Sequence, residues 1–448
     1  MTGLDFQGRS DHLDTFHAPR FKSGTGRFPI RTGSSRKFLD MKKYLLFAVG
    51  AALLPLLSLV SSAKDAKDLK ETKEAPSDAV YGVVEVGASG VKGMVVQILP
   101  GVADTENPPS KMLKEYEPLD KNAFTSEAAS RVADAITKLH KDMQDEFKVP
   151  ANHFYLVGSS GLPPAVQSAI SGKTFMEGAA IEYIDATKEA NLVFRGIVPA
   201  HRLTQVVVLD IGSGNSKGCY IEKTQPAVTF ANFSVPWGTK TFAQEVNKSR
   251  KDASQFMIAA DPLRTELILP KVQSATRDYP GMQNLRRVYL AGGTPWALAS
   301  LMHPESIISD AKGPEISWVK ISMDDINKYY TLATTDPNTL LYPNLSGVHK
   351  ENLQKTEDEL TRLRNIFNQD QIMSGALILK TFADEMHFDR KDAIFFSKRA
   401  LYAWPQGYIL EKLAAEKKDA TPKPDDSKKA PTPSDAPKPE SKPEEPKK

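Results

Sequence analysis

A chain of 448 residues is too long for one ordinary hydrophobic core, so at roughly 100 to 200 residues per domain it is expected to fold as two units plus tails. A hydrophobic fraction of 40% with 25% charged residues excludes a fibrous chain or an integral membrane bundle, and a formal charge of +3 gives no reason to expect nucleic acid as a partner. The single cysteine, Cys219, excludes an intramolecular disulfide and a cysteine-rich zinc site, and the eight histidines contain no i, i+4 pair of the zinc-protease kind.

Residues 1–40 are polar, lack periodicity and read as an upstream extension, because Met41 makes the better start. From there Met41-Lys-Lys, the apolar run Tyr44 to Val60 and the small residues Ser61-Ser62-Ala63 form the pattern of a signal peptide, 41–63, cleaved after Ala63. An uncleaved anchor is the alternative, the run being close to the roughly 17 to 20 residues that span a bilayer. Either way the body is expected to be exported, to the periplasm or cell envelope, with membrane contact only through that segment. Residues 64–79 are rich in Lys, Asp, Glu and Ala and read as a linker.

The folded body begins at Val80. Val80-Tyr-Gly-Val-Val-Glu-Val-Gly87 is a buried-strand pattern, and a second apolar strand ending at Ile98 follows the turn Gly87-Ala-Ser-Gly90, which makes a hairpin. The design returns at Val206-Val-Val-Leu-Asp210, the turn Ile211-Gly-Ser-Gly-Asn-Ser216 and the strand from Gly218. Helical patterns at Ser126 to Phe147 and Lys188 to Gly196 lie between the hairpins, with a strand, Phe154 to Gly158, that ends in Ser159-Ser160-Gly161. A long helical stretch then leads to Arg287-Val-Tyr-Leu-Ala-Gly-Gly-Thr294, and Pro343 to Arg364 reads as a charged, exposed helical stretch. Strands alternating with helices predict a layered α/β fold, here in two like domains, 80–200 and 201–412. Residues 413–448, where Lys and Pro alternate with acids and Ser, are expected to be a disordered tail.

Four small-residue turns thus follow buried strands. Such strand ends offer backbone N–H groups and hydroxyls where an anion can sit. One alone is only a tight turn; the series makes Gly87, Ser89, Ser159, Ser160, Gly212, Gly214, Asn215, Ser216, Gly293 and Thr294 candidate phosphate contacts. Glu85 and Asp210, at two of the strand ends, are candidate ligands of a divalent cation.

These segments resemble the exopolyphosphatase/guanosine-pentaphosphatase (Ppx/GppA) family. Glu85-Val-Gly-Ala-Ser-Gly-Val-Lys92 is similar to the family's D-x-G-S-N-S-x-H/R, Leu156 to Pro163 to A-T-S/A-x-x-R, Asp185 to Gly196 to S-G-x-E-E-A-R-L-x-x-x-G, and Leu209 to Lys217 to D-I-G-G-G-S-T-E. The likeness continues through Ser234-Val-Pro-Trp-Gly238, Ala291-Gly-Gly-Thr294, Ile321 to Ile326 and Ser374 to Leu379. The resemblance implies two ribonuclease H-like (actin-like ATPase) domains with the site in the cleft between them. It further implies hydrolysis of a phosphoanhydride in polyphosphate or a nucleoside polyphosphate, with Mg2+ held by Glu85 and Asp210 and with Glu189 as the base.

Departures from the family pattern fall in the site. Glu85 stands for an aspartate, Pro163 and Asn191 for arginines, Lys217 for the last acid of its motif and Lys92 for His or Arg. Lys92 and Lys217 become candidate phosphate ligands, and Lys217 reverses a charge beside the implied metal. The alternatives are therefore a hydrolase, a binding protein of the same fold that has lost the chemistry, and an apyrase-like nucleotidase. The last usually carries several disulfides.

Overall fold

The computed structural model describes residues 80–88, 90–99, 110–119, 129–171, 175, 180–252, 255–308 and 318–420. The expected extension, signal segment and linker, Ser89 and residues 421–448 lie outside them.

The first sheet contains β1 (Val80–Gly87), β2 (Gly90–Ile98), β3 (Ser110–Leu119), β4 (Phe154–Gly158) and β5 (Glu182–Tyr183), in the order β3-β2-β1-β4-β5. The second contains β6 (Val206–Ile211), β7 (Ser216–Lys223), β8 (Thr229–Val235), β9 (Arg287–Ala291), β10 (Trp318–Ile321) and β11 (Ala393–Ser397), in the order β10-β11-β9-β6-β7-β8. In each, three strands form an antiparallel meander and the first of them pairs in parallel with the fourth, β1 with β4 and β6 with β9. A parallel fifth strand follows in both sheets, and β10 adds an antiparallel edge to the second. This is the ribonuclease H-like order twice over, the actin-like architecture that the two hairpins and the motif series imply.

The chemistry of the strands explains the layers. Every residue of β1 after Val80 is buried, as expected of a central strand covered on both faces. Val84 and Val86 pack with Val132, Ile136, Leu139 and Met143, a stripe at helical spacing on the helix Ala129–Phe147. Tyr81 and Val83, one residue out of phase, join Met94 and Val96 on the opposite face, where Ile409 and Leu413 of the C-terminal helix Ala403–Ala420 cover them. β6 is fully buried, and the helices Gly293–Met302 and Gln369–Glu385 contribute to its core.

Two helices link the halves. The helix Ala186–Ile197 packs on β6 to β8 and runs along the C-terminal helix. A Cβ at Gly196 would fall on the Ala403 carbonyl oxygen, and one at Gly407 on the Leu192 carbonyl oxygen, so the backbones touch with no side chain between them. Lys188 pairs with Glu411, and Tyr408 and Lys412 hold Glu182 of β5.

Two expectations need correction. The tail was expected from residue 413, but the C-terminal helix runs to Ala420, because Leu413 packs on the first sheet and the Ala, Lys and Glu that follow are good helix formers. The stretch Pro343 to Arg364 is not simply exposed: the helix Leu353–Ile366 buries Leu360 and Leu363. No helix of the described residues is long and apolar enough to cross a membrane.

Candidate functional site

Four turns meet in one cleft lined from both sheets. Its walls include Glu85, Ala88 and Lys92 of the first hairpin, Ser159 and Gly161 after β4, and Glu189. The second sheet contributes Asp210, the turn Gly212 to Asn215, Lys217, and Gly292 and Gly293 after β9. The two halves touch at the floor, where a Cβ on Gly214 would stand 2.8 Å from the Gly161 carbonyl oxygen. Gly292 has φ +87°, and a Cβ there would fall on Asp210 Oδ1, so only glycine lets the β9 turn lie against the β6 strand end.

The centre of the cleft is a lysine. Lys217, 2% exposed, sits on β7 directly across from Asp210 on β6. Its Nζ donates to Glu189 Oε1 at 2.9 Å, Asp210 Oδ2 at 3.0 Å and Asn215 Oδ1 at 3.1 Å, three acceptors for the three N–H bonds of an ammonium. Asp185 caps the helix Ala186–Ile197 by accepting from the Lys188 N–H at 2.7 Å, which brings Glu189 in its first turn to face the Ser159-Ser160-Gly161 turn. There Glu189 Oε2 accepts the Ser160 backbone N–H at 2.8 Å, and Asn215 Nδ2 donates to Ser160 Oγ at 3.0 Å. Ser160, Glu189, Lys217 and Asn215 therefore close a ring of hydrogen bonds that joins the β4 turn to the β6–β7 hairpin.

Charge follows burial. Desolvation lifts the Asp210 carboxyl above the ordinary aspartate value, with Lys217 opposing. Burial also works against the Lys217 charge, but Asp210 and Glu189 more than reverse it and hold its pKa above the usual lysine value. Glu85, 7% exposed, is lifted by burial against the pull of Lys92, whose Nζ is 4.0 Å away, with Glu189 raising it, Lys217 lowering it and Asp210 raising it in turn.

A raised carboxyl contributes stability that is present below the ordinary glutamate value of 4.5 and is lost as pH rises through the folded value. Glu85→Gln should therefore be at least as stable as the parent at neutral pH, with a flatter stability profile from there down to the acid side. Urea unfolding at a series of pH values checks this; a variant that loses stability at neutral pH would contradict it.

The structure gathers most of the sequence candidates. Gly87 lies at the end of β1, where a Cβ would meet Glu85 Oε1 at 2.7 Å and Ser159 Oγ at 2.8 Å. Ser216 and Thr294 are corrected: Ser216 is fully buried and its hydroxyl donates to the Trp237 carbonyl at 2.8 Å, whereas Thr294 is 1% exposed and its methyl and hydroxyl pack near Gly375. Both point into the core because each is one residue past the part of its turn that faces the cleft. Ser160 contributes through its backbone and Oγ, to Glu189 and Asn215.

Several lining residues escaped sequence reading. Lys240, at the start of the helix Thr239–Ser249, reaches across to the Ala88 carbonyl at 3.4 Å; the Ser234 to Gly238 motif just before it was the available signal. Arg362 also lines the cleft and is held by Glu115 at 2.5 Å, Glu117 at 3.2 Å and Glu359 at 3.6 Å. An apolar wall of Trp296, Ile366, Phe367, Leu401 and Trp404 completes the site.

The implied Mg2+ does not fit these residues. Lys217 Nζ occupies the space between Glu189 and Asp210, and Glu85 is faced by Lys92. Among the described residues no group of three or more His, Cys, Asp and Glu is placed to hold a metal ion.

No protein-family model matches the sequence, and no curated protein matches it. Among solved structures the chain is similar to a Ppx/GppA family member from Aquifex aeolicus (16% identity, 75% of this chain and 98% of that one, TM-score 0.47). It is similar also to an exopolyphosphatase from Cytophaga hutchinsonii (16% identity, 75% and 98%, TM-score 0.46). An exopolyphosphatase-like protein gives 14% identity, 75% and 99% coverage and a TM-score of 0.49. These are structures of the family whose motifs the sequence resembles; at such scores the fold assignment rests on the strand order itself.

Proposed function

We propose that this chain holds the phosphate chain of a nucleoside polyphosphate or of polyphosphate in the cleft without cleaving it. The observation that carries this reading is the state of Glu189. A general base must be able to take a proton from water, yet one Glu189 oxygen is held by a buried ammonium and the other by a backbone N–H. The cleft keeps the small-residue turns of a phosphate cradle, with Lys92 and Lys240 on its walls. Its apolar side, which includes Trp296 and Trp404, favours a nucleotide, since a polyphosphate chain has no apolar part to set against it.

Hydrolysis is the second reading, favoured by Glu189 facing the same cleft as the turns; it requires that the bound phosphates draw Lys217 away from Glu189. One experiment separates the two. The full chain is titrated calorimetrically with ATP and with tripolyphosphate, and phosphate release is followed in parallel, beside Glu189→Gln. Saturable binding with no release in either protein supports the binding reading, whereas release that Glu189→Gln abolishes would establish a hydrolase. Absence of binding to both ligands would overturn both.

Export through the segment 41–63 belongs to the same proposal. The mature N-terminus, read by mass spectrometry on protein recovered from an envelope fraction, should follow Ala63; a protein confined to the cytosol with residues 41–63 intact would contradict it.

A further inference from the structure

We infer that Lys217 is a resident counter-ion that takes the place of a divalent metal, so that the cleft accepts a phosphate chain with no metal bound. The inference rests on the phosphate-chain reading above and concerns how that site balances charge.

A cleft with four carboxylates repels a polyanion unless something neutralises them, and a dication bound by the acids is one solution. Here Glu85, Glu115, Glu189 and Asp210 line the cleft together with Lys92, Lys217, Lys240 and Arg362, so the acids are balanced by cationic groups of the protein itself, Glu115 by Arg362. Lys217 does most of this at the centre, because its Nζ lies within 3.0 Å of two of the four carboxylates. Its remaining N–H is taken by Asn215 at 3.1 Å, and Asn215 is in turn fixed by Ser160. All three N–H bonds of the ammonium are therefore engaged within the protein. A dication needs several oxygen ligands close around it, at about 2.0 to 2.1 Å for Mg2+, and would have to displace this ammonium or sit beside it at like-charge contact.

The test is calorimetric titration of the full chain with tripolyphosphate, once in EDTA and once in excess Mg2+. The expected result is binding in EDTA that changes by less than about tenfold on adding Mg2+, a difference under about 1.4 kcal/mol. With Mg2+ alone, no heat of binding and no shift in Tm are expected. Binding that appears only with Mg2+, or that gains more than about tenfold from it, would overturn the inference while leaving the phosphate-chain reading intact. No binding in either condition would overturn both.

A second arm restores the acid of the family's motif. Lys217→Glu should make tripolyphosphate binding Mg2+-dependent, with a loss of at least about tenfold in EDTA. A folded Lys217→Glu variant that binds equally well in EDTA and in Mg2+ would contradict the assignment. The parent titrations decide the matter even where that variant does not fold.

Discussion

Replacing Lys217 with methionine is expected to destabilise the protein by about 3 to 5 kcal/mol, the range seen when one partner of a buried ion pair is removed. The methionine fills much the same volume, so the loss comes from charge rather than from a cavity. Asp210 and Glu189, 6% and 5% exposed, would each lose an ammonium at about hydrogen-bonding distance, and Asn215 Oδ1 would lose its donor as well. The triple variant Lys217→Met, Asp210→Asn, Glu189→Gln separates charge from packing, since replacing a whole buried ion cluster by neutral groups often costs little. It should recover most of the lost stability, as measured by denaturant midpoints. If Lys217→Met is as stable as the parent, the lysine is not the centre of the site.

Gly407→Ala should be nearly as damaging, although it changes one hydrogen to a methyl on a helix. Alanine is ordinarily the better helix former, by about 1 kcal/mol. Here the new Cβ would fall on the backbone carbonyl of Leu192, and backbone cannot rotate out of the way as a side chain can. Overpacking of this kind costs typically about 1 to 3 kcal/mol, and more where the opposing atom is fixed. The helices would have to separate, and one of them carries Glu189 four residues after its capping Asp185. Ligand binding in the cleft should therefore weaken along with stability. Gly347→Ala, with nothing within 4 Å of the new Cβ, is the control and should stay within about 0.5 kcal/mol of the parent. Equal effects of the two substitutions would show that the helix crossing is not closely packed.

The parts of the fold that were legible in the sequence are those buried on both faces. β1, β4, β6 and β9 are nearly continuous apolar runs, and their position at the sheet centres is why the small-residue turns after them converge. β3 and β8 were missed for the opposite reason. They lie at sheet edges, and SKMLKEYEPL and TFANFSV mix exposed with buried positions, so their polar residues read as loop. The helix Leu353–Ile366 was read only as charged; Arg362 and Ile366 of that stretch line the cleft, but which face of a charged helix turns inward depends on β3, whose Glu115 holds Arg362.

The same contrast holds for the site. Glu85, Glu189, Asp210 and Lys217 were each visible as strand-end or motif residues, and all four line one cleft. What spacing alone could not give is their pairing. Lys217 follows Asp210 by seven residues, and only the two-strand register of the hairpin sets them opposite each other; Glu189 arrives from a helix in another part of the chain. A lysine in place of an acid read in sequence as a charge reversed beside a metal. In the fold its Nζ bridges Glu189 and Asp210, and the proposal of binding without cleavage starts from that contact.

A crystal structure of the full chain with tripolyphosphate, grown in excess Mg2+, tests this most directly. Phosphate density is expected against the turns and Lys92, with Lys217 Nζ still bridging Glu189 and Asp210 and no metal between them. Octahedral density ligated by Asp210 or Glu85, with Lys217 swung out of the cleft, would contradict it.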